Sequence, residues 1–251
     1  MKRVLKIAGL LLGCALMFAV GWGWPILVRG PLVVGQDAIT DAASATVSVS
    51  VEQAGGRTIV ARPPAGVAEQ DVLVVVYPGA LVRPQAYEWL ARVLAAQGYL
   101  TVIPEFSFDL AVTDPDRAGA LIERYSAGRR VVLAGHSLGG AMAAQYAAGH
   151  TAELAGLVLL AAYPGDAADL SHSDLPVFSL LGEHDEVVDA AALADAWTRL
   201  PSATRRVTVT GGVHAFFGRY GPQDGDGSPT VARAAAEAQI SRAIKEFLAT
   251  V

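Results

Sequence analysis

Residues 131–144 constrain the fold of this chain more tightly than any other stretch. Val131-Val-Leu-Ala is apolar and mostly β-branched. Gly135-His136-Ser137-Leu138-Gly139-Gly140 follows, and Ala141-Met-Ala-Ala continues in helix-forming residues. The order reads as a buried strand that turns at once into a helix. A serine raised above the end of a sheet on such a turn takes strained dihedrals and has close neighbours on both sides. Gly135 and Gly139 remove the side chains that would collide there. The helix that begins at this point aims its amino terminus at the serine, so the Leu138 amide can donate to an oxyanion developing beside it. Ser137 is thus the candidate nucleophile.

The remainder of the chain repeats the same alternation. Thr46–Val51 has strict period two and leads through Gly55-Gly56 into Arg57–Arg62, a pattern for an antiparallel hairpin at a sheet edge. Asp71–Tyr77, Leu100–Ile103, Arg130–Ala134, Leu154–Ala161, Val177–Leu181 and Arg205–Val209 are short strand-like runs. Helical patterns lie between and after them at Tyr87–Gln97, Pro115–Tyr125, Gly139–Gly149, Ala190–Arg199 and Thr230–Leu248. Strands and helices alternating at this spacing imply right-handed crossovers and a mostly parallel central sheet with helices on both faces. Residues 45–251 read as one α/β domain. Tyr163–Pro176, after the strand-like run that ends at Ala161, is too short to form a helical cap, so the site is expected to be open.

A nucleophilic serine needs a base, and the base needs an orienting acid. Of the five histidines, His136 lies within the turn itself, His150 ends the following helix, His172 is in a polar loop and His184 adjoins Asp185. His214 sits directly after the last strand, in Gly211-Gly-Val-His214-Ala-Phe-Phe217. Loops at the carboxyl ends of parallel strands converge on one crevice, so a histidine there can reach Ser137. For the acid, Gly182-Glu-His-Asp185 follows the penultimate strand and favours Asp185, with Glu183 and Asp189 as local competitors and Asp166 and Asp169 further off. A second oxyanion donor belongs after the first buried parallel strand, where Tyr77-Pro-Gly79-Ala80 makes the Ala80 amide the candidate. Phe216 and Phe217 suit either an acyl pocket or core packing beneath the histidine loop.

Other signals are weaker. Asp224-Gly-Asp226-Gly-Ser228 has the look of a calcium loop but lacks the later bidentate glutamate, and a polar loop at the rim of the site is the plainer reading. No His-Glu-x-x-His occurs and no phosphate-cradling glycine loop follows the first strand. A single cysteine can build neither an internal disulfide nor a Cys-based zinc site. No metal or organic cofactor is expected.

The order Ser137, Asp185, His214 on a β/α alternation resembles the α/β-hydrolase superfamily over nearly all of residues 45–251. Tyr77-Pro-Gly79 with Ala86-Tyr87, the Gly135–Gly139 turn, Gly182–Asp185 and the run from Gly211 to Gly227 are similar to its fold-5, dienelactone-hydrolase-like branch. That resemblance implies a Ser-His-Asp triad with backbone oxyanion donors. Dienelactone hydrolases carry a cysteine nucleophile where this chain has Ser137. The expected activity is cleavage of a small carboxylic ester through an acyl-enzyme. Acyl transfer, amide or thioester hydrolysis on the same triad, and a non-catalytic tethered binding protein are the alternatives.

The amino terminus carries a separate message. Lys2, Arg3 and Lys6 precede an uncharged run of 22 residues from Ile7 to Val28. As a helix it would reach roughly 33 Å, enough for a hydrocarbon core of about 30 Å. The flanking cations place the amino terminus in the cytoplasm and the rest of the chain outside the plasma membrane. Residues 1–29 therefore read as a single-pass anchor and 30–44 as a spacer, with a cleaved signal (secretion) or a lipoprotein signal at Cys14 as alternatives. Residues 1–28 hold three of the 19 cations and none of the 24 anions. The remainder has 16 against 24, a net charge of −8, which excludes a polybasic lipid binder and a general nucleic-acid binder.

Overall fold

In the computed structural model the described residues are 38–251, so the expected anchor over residues 1–29 and the first part of the spacer lie outside them. Among the described residues no helix is long and apolar enough to cross a membrane. Eight strands form one sheet: β1 (Ser48–Gln53), β2 (Arg57–Arg62), β3 (Val72–Tyr77), β4 (Leu100–Pro104), β5 (Arg130–His136), β6 (Gly156–Leu160), β7 (Val177–Gly182) and β8 (Arg205–Val209), in the spatial order β1-β2-β4-β3-β5-β6-β7-β8. β1 and β2 are the antiparallel hairpin expected across Gly55-Gly56, with Ser48 opposite Arg62 and Gln53 opposite Arg57. β2 is antiparallel to β4, and every pair from β4 to β8 is parallel.

The helices are α1 (Ala42–Ala45), α2 (Glu88–Ala95), α3 (Arg117–Tyr125), α4 (Leu138–Gly149), α5 (Ala190–Ala196) and α6 (Arg233–Leu248). All six residues of β3 are buried, which explains its unbroken apolar run. Leu73, Val75 and Tyr77 join one core cluster with Leu121 of α3 and Ala143 and Ala147 of α4. Side chains alternate across a strand, so Val72, Val74 and Val76 face the other way. On that opposite face Phe178 of β7 stacks on Phe247 of α6, with ring centroids 5.3 Å apart, and α6 packs in turn against α2.

Several boundaries differ from the sequence reading, each for a local reason. Residues 42–44 of the expected spacer and Ala45 form the single turn α1, whose cap is Asp41. The Asp41 carboxylate accepts from the Ser44 amide at 2.7 Å, and Arg92 of α2 donates to the Val47 carbonyl at 3.0 Å. The pattern at Tyr87–Gln97 splits into a 3-10 turn at Pro84–Tyr87 and then α2. The run Leu154–Ala161 narrows to β6, because Ala161 takes φ 46° and leaves the strand. The last helix begins at Arg233 rather than Thr230, whose amide bonds back to Gly211 O at 3.1 Å.

The connection between β6 and β7 contains turns and bends only, so no cap covers the sheet at that position. After β3 the chain passes through α2 to β4 on one side. It then returns through α3 to β5 on the other side of β3. The loops leaving β3 and β5 therefore diverge, and a crevice opens above the carboxyl ends of these two strands, the usual ligand position in such sheets.

Candidate active site

Ser137 occupies the turn between β5 and α4 at φ 53° and ψ −124°, a region that costs a non-glycine residue about 1–3 kcal/mol. Neighbouring structure holds it there. The Ser137 amide extends the sheet ladder to Leu160 O at 3.0 Å, and its carbonyl accepts from the Gly140 and Ala141 amides. A Cβ at Gly135 would overlap the Gly139 carbonyl, and one at Gly139 would overlap the carbonyls of Pro78 and Tyr77. The glycines let the first turn of α4 press against the ends of β5 and β3, and Ser137 is lifted clear between them.

His214 opens a 3-10 turn, His214–Phe217, directly after β8. Its Nδ1 lies 2.9 Å from Asp185 Oδ2, and the two side chains are 1% and 2% exposed. The other Asp185 oxygen accepts from the Val187 and Val188 amides, both at 3.0 Å, which fixes the carboxylate in plane. A carboxylate at Nδ1 selects the tautomer protonated there and leaves Nε2 as the basic nitrogen. His214 Nε2 is buried with no hydrogen-bond partner. Ser137, Leu138 and His214 line one cleft of about 280 Å³, walled otherwise by small and apolar residues such as Ala141, Ala161, Val187 and Val188.

The loop after β3 is tied on either side of Ala80. The Gly79 amide donates to Tyr87 Oη at 2.9 Å, and the Leu81 amide donates to Asp109 O at 2.8 Å. Leu81, Phe108 and Asp109 all hold positive φ near 57°, and Arg83 pairs with Asp109 at 3.4 Å. Burial raises the Asp109 carboxyl above its ordinary pKa, with Arg83 opposing that shift. Between these anchors the Ala80 amide meets no acceptor among the described residues, and neither does the Leu138 amide. Two unpaired donors on adjoining loops are what an oxyanion site requires. Ala80 itself is not among the residues lining the cleft around Ser137.

A family model described as "Alpha/beta hydrolase family" matches residues 73–238, two thirds of the chain. This chain belongs to the α/β-hydrolase family. None of the curated proteins matches it. Solved structures share the fold. A CIB-like hydrolase from Thermoplasma acidophilum is 16% identical with a TM-score of 0.58, covering 82% of this chain and 100% of its own. An α/β serine hydrolase without a lid from Xanthomonas campestris is 24% identical with a TM-score of 0.52, covering 68% and 86%. A protein given as a dienelactone hydrolase, from Klebsiella pneumoniae subsp. pneumoniae, is 17% identical with a TM-score of 0.59, covering 80% and 98%.

Within this α/β hydrolase the structure separates Asp185 from its competitors. Glu183 accepts from the Gly211 amide at 2.7 Å, and Asp189 caps α5 through the Ala192 amide at 2.7 Å. Asp166 pairs with Arg199 on the surface and Asp169 with the Ser171 amide. Among the histidines, His150 stacks on Tyr146, and His184 lies 3.3 Å from Thr230 Oγ1. Phe216 and Phe217 are buried and do not line the cleft, which places them in the core. A larger concavity of about 520 Å³ opens at the opposite, amino-terminal ends of β7 and β8. Ser171, His172 and Asp174 stand in it without a hydrogen bond between their side chains, so chemistry and not size selects the smaller cleft. Among the described residues no three His, Cys, Asp or Glu side chains gather as a metal site.

Two residues of the site escaped the sequence reading. Asp226, in the polar loop expected at the rim, accepts from the amides of His214 at 3.0 Å and Ala215 at 2.9 Å, as well as from its neighbour Gly227 at 2.9 Å. Arg233 donates to the carbonyls of Ala215 and Tyr220, both at 2.8 Å, and stacks over the Phe216 ring. A carboxylate on its amides and a guanidinium on its carbonyls clamp the histidine loop from both ends. The pairing of Asp226 with residues eleven and twelve positions earlier has no periodic signature. Its polar run of Asp and Gly was the only available signal.

Proposed function

We propose that this α/β hydrolase is a serine hydrolase that cleaves small carboxylic esters through an acyl-enzyme. The observation that carries the reading is the buried Asp185–His214 contact of 2.9 Å, with His214 Nε2 left unpaired in the cleft that the strained Ser137 also lines. His214 Nε2 takes the Ser137 hydroxyl proton as Oγ attacks the ester carbonyl. The Ala80 and Leu138 amides donate to the oxyanion of the tetrahedral intermediate. His214 then returns the proton to the departing alcohol, and in the second half it deprotonates the water that releases the acid. Asp185 holds the ring in place and stabilises the imidazolium without taking the proton. The apolar walls of the cleft favour an uncharged group next to the reacting carbonyl.

The same proposal includes tethering to the plasma membrane through residues 7–28, with the catalytic domain outside the cytoplasm. The uncharged run and its preceding cations support it. Protease treatment of intact cells should then remove the domain.

The direct test treats the full-length chain with a fluorophosphonate probe and with p-nitrophenyl esters of increasing acyl length, alongside Ser137→Ala. Labelling and turnover that vanish in the variant are expected. A folded wild-type chain that neither labels nor turns over would overturn the assignment. Repeating the assay with an added acceptor alcohol separates release to water from acyl transfer.

A further inference from the structure

The strand end that carries His136 and Ser137, the oxyanion loop and the histidine loop come from three different strands, yet a single buried side chain touches His136, Gly79 and the neighbourhood of Gly218. Tyr87, fully buried at 0% exposure, accepts the Gly79 amide at 2.9 Å from the oxyanion loop. Its hydroxyl lies 2.7 Å from Nδ1 of His136, the residue preceding Ser137. Its ring lies against Gly218, where a Cβ would stand 3.2 Å from Tyr87 Cε1. The Arg219 amide donates to Ala86 O at 2.7 Å, which docks the histidine loop on the same 3-10 turn. His136 is equally buried, and its ring centroid is 4.6 Å from that of His214.

The direction of the Tyr87–His136 bond depends on the His136 tautomer, and the Gly79 contact favours Tyr87 as the donor. The Tyr87 oxygen already accepts the Gly79 amide, so its single proton is free to be donated to His136 Nδ1. Burial holds His136 well below its ordinary pKa, and the neighbouring His214 adds to the effect. The ring is therefore neutral, and with Tyr87 donating at Nδ1 its proton sits on Nε2, which meets no acceptor among the described residues. Burial likewise raises the Tyr87 hydroxyl far above its usual range and keeps it a donor. The bridge has no spare room. A Cβ at Gly79 would stand 2.8 Å from His136 Nδ1 and 3.0 Å from Tyr87 Oη.

We infer that Tyr87, through His136, is a positioning residue for the proposed acyl transfer: its hydroxyl fixes the distance between the Ala80 amide and the Ser137 turn, and so the fit of the oxyanion site. The inference rests on the serine-hydrolase reading but makes a separate demand. The bridge is built from two neutral buried groups that touch no reacting atom, so its loss should weaken binding of the transition state and leave substrate binding alone. Misplacing an oxyanion donor costs about 10²–10³-fold in kcat when the donor is lost outright. A donor that is displaced but retained should cost less, about 10–100-fold.

The experiment uses the full-length chain. Tyr87→Phe keeps the ring and deletes the hydroxyl. The expected result is a kcat lower by about 10–100-fold, a KM within about threefold of wild type, and a parallel loss of affinity for an alkyl boronic acid, which mimics the tetrahedral intermediate. His136→Asn keeps an acceptor close to the place of Nδ1 and should retain most of the activity, whereas His136→Leu should fall as far as Tyr87→Phe. Wild-type kcat and boronate affinity in Tyr87→Phe would overturn the inference, even with a lower melting temperature, and so would equal losses in the two His136 variants. Should the variants fail to fold, nitrogen-15 NMR of the wild-type histidines decides. His136 must be protonated at Nε2 and bare at Nδ1, and the opposite tautomer refutes the bridge. A wild-type chain that does not react with fluorophosphonate refutes the parent reading instead, which keeps the two failures distinct.

Discussion

Replacing Asp226 with alanine would test how much of the site depends on a residue far from the chemistry. The carboxylate accepts the amides of His214 and Ala215, which are buried, and that of Gly227, which is only partly covered. A buried donor stripped of its partner costs about 1–3 kcal/mol. Asp226 itself is part-buried, so water can replace some of the loss and the low end of that range applies. Two buried amides then amount to about 2–3 kcal/mol, and the Gly227 amide adds little. Asp226→Asn, with one neutral acceptor oxygen for two donors, should lose about half as much. Urea unfolding of the full-length chain reads these values, and p-nitrophenyl ester turnover reads the effect on His214. Activity should fall in the same order, alanine below asparagine, because the amide freed at His214 belongs to the residue that carries the imidazole. Equal stabilities for wild type and Asp226→Ala, within about 0.5 kcal/mol, would refute the clamp.

Three further outcomes follow from the same geometry. Asp185→Asn should lower kcat by about 10⁴-fold with the fold intact, since the wrong tautomer of His214 is then favoured. Glu183→Gln, at the competing carboxylate, should leave kcat within a few-fold, and the reverse ranking would reassign the acid. Gly139→Ala drives a methyl into the carbonyls of Pro78 and Tyr77, backbone groups that cannot turn aside, so loss of fluorophosphonate labelling and a destabilisation of at least about 1–3 kcal/mol are expected. A normally reactive Gly139→Ala would show that the turn is looser than described. Because His136 is held neutral in the folded state, unfolding takes up a proton once the pH drops below the unfolded-state pKa of about 6.5. Its contribution is intact above that pH and declines below it by about 1.4 kcal/mol per unit. Between pH 7.5 and 5.5 wild type should therefore lose about 1.4 kcal/mol more stability than His136→Asn, and parallel losses would contradict the depressed pKa.

The parts of this molecule that could be read from its sequence are those governed by short-range pattern. The β3 run and the Gly135–Gly139 turn declare themselves through continuous apolarity and through residues that tolerate close approach. The contact between Asp185 and His214 was legible because each follows a strand end, where an α/β sheet gathers its loops. Strand order was not legible: nothing in Leu100–Ile103 says that β4 sits between β2 and β3. The exclusion of Glu183 depends on the Gly211 amide, 28 residues away, and the work of Asp226 and Tyr87 depends on partners brought together only by the completed sheet. Helix ends slipped by two or three residues where a hydrogen bond from elsewhere, such as Thr230 to Gly211, won over local propensity.

The two bonds from Val187 and Val188 to Asp185 have an evolutionary consequence. The proposed acid is held by the backbone of the same two residues whose side chains wall the cleft. Substitutions at 187 and 188 can reshape what the cleft accepts while the amides that aim the carboxylate stay in place. Only proline, which has no amide proton, would break the link. On the proposed reading, selectivity and the aim of the acid are thus encoded on different atoms of one dipeptide, and a lineage can change its substrate here without first giving up the proposed triad.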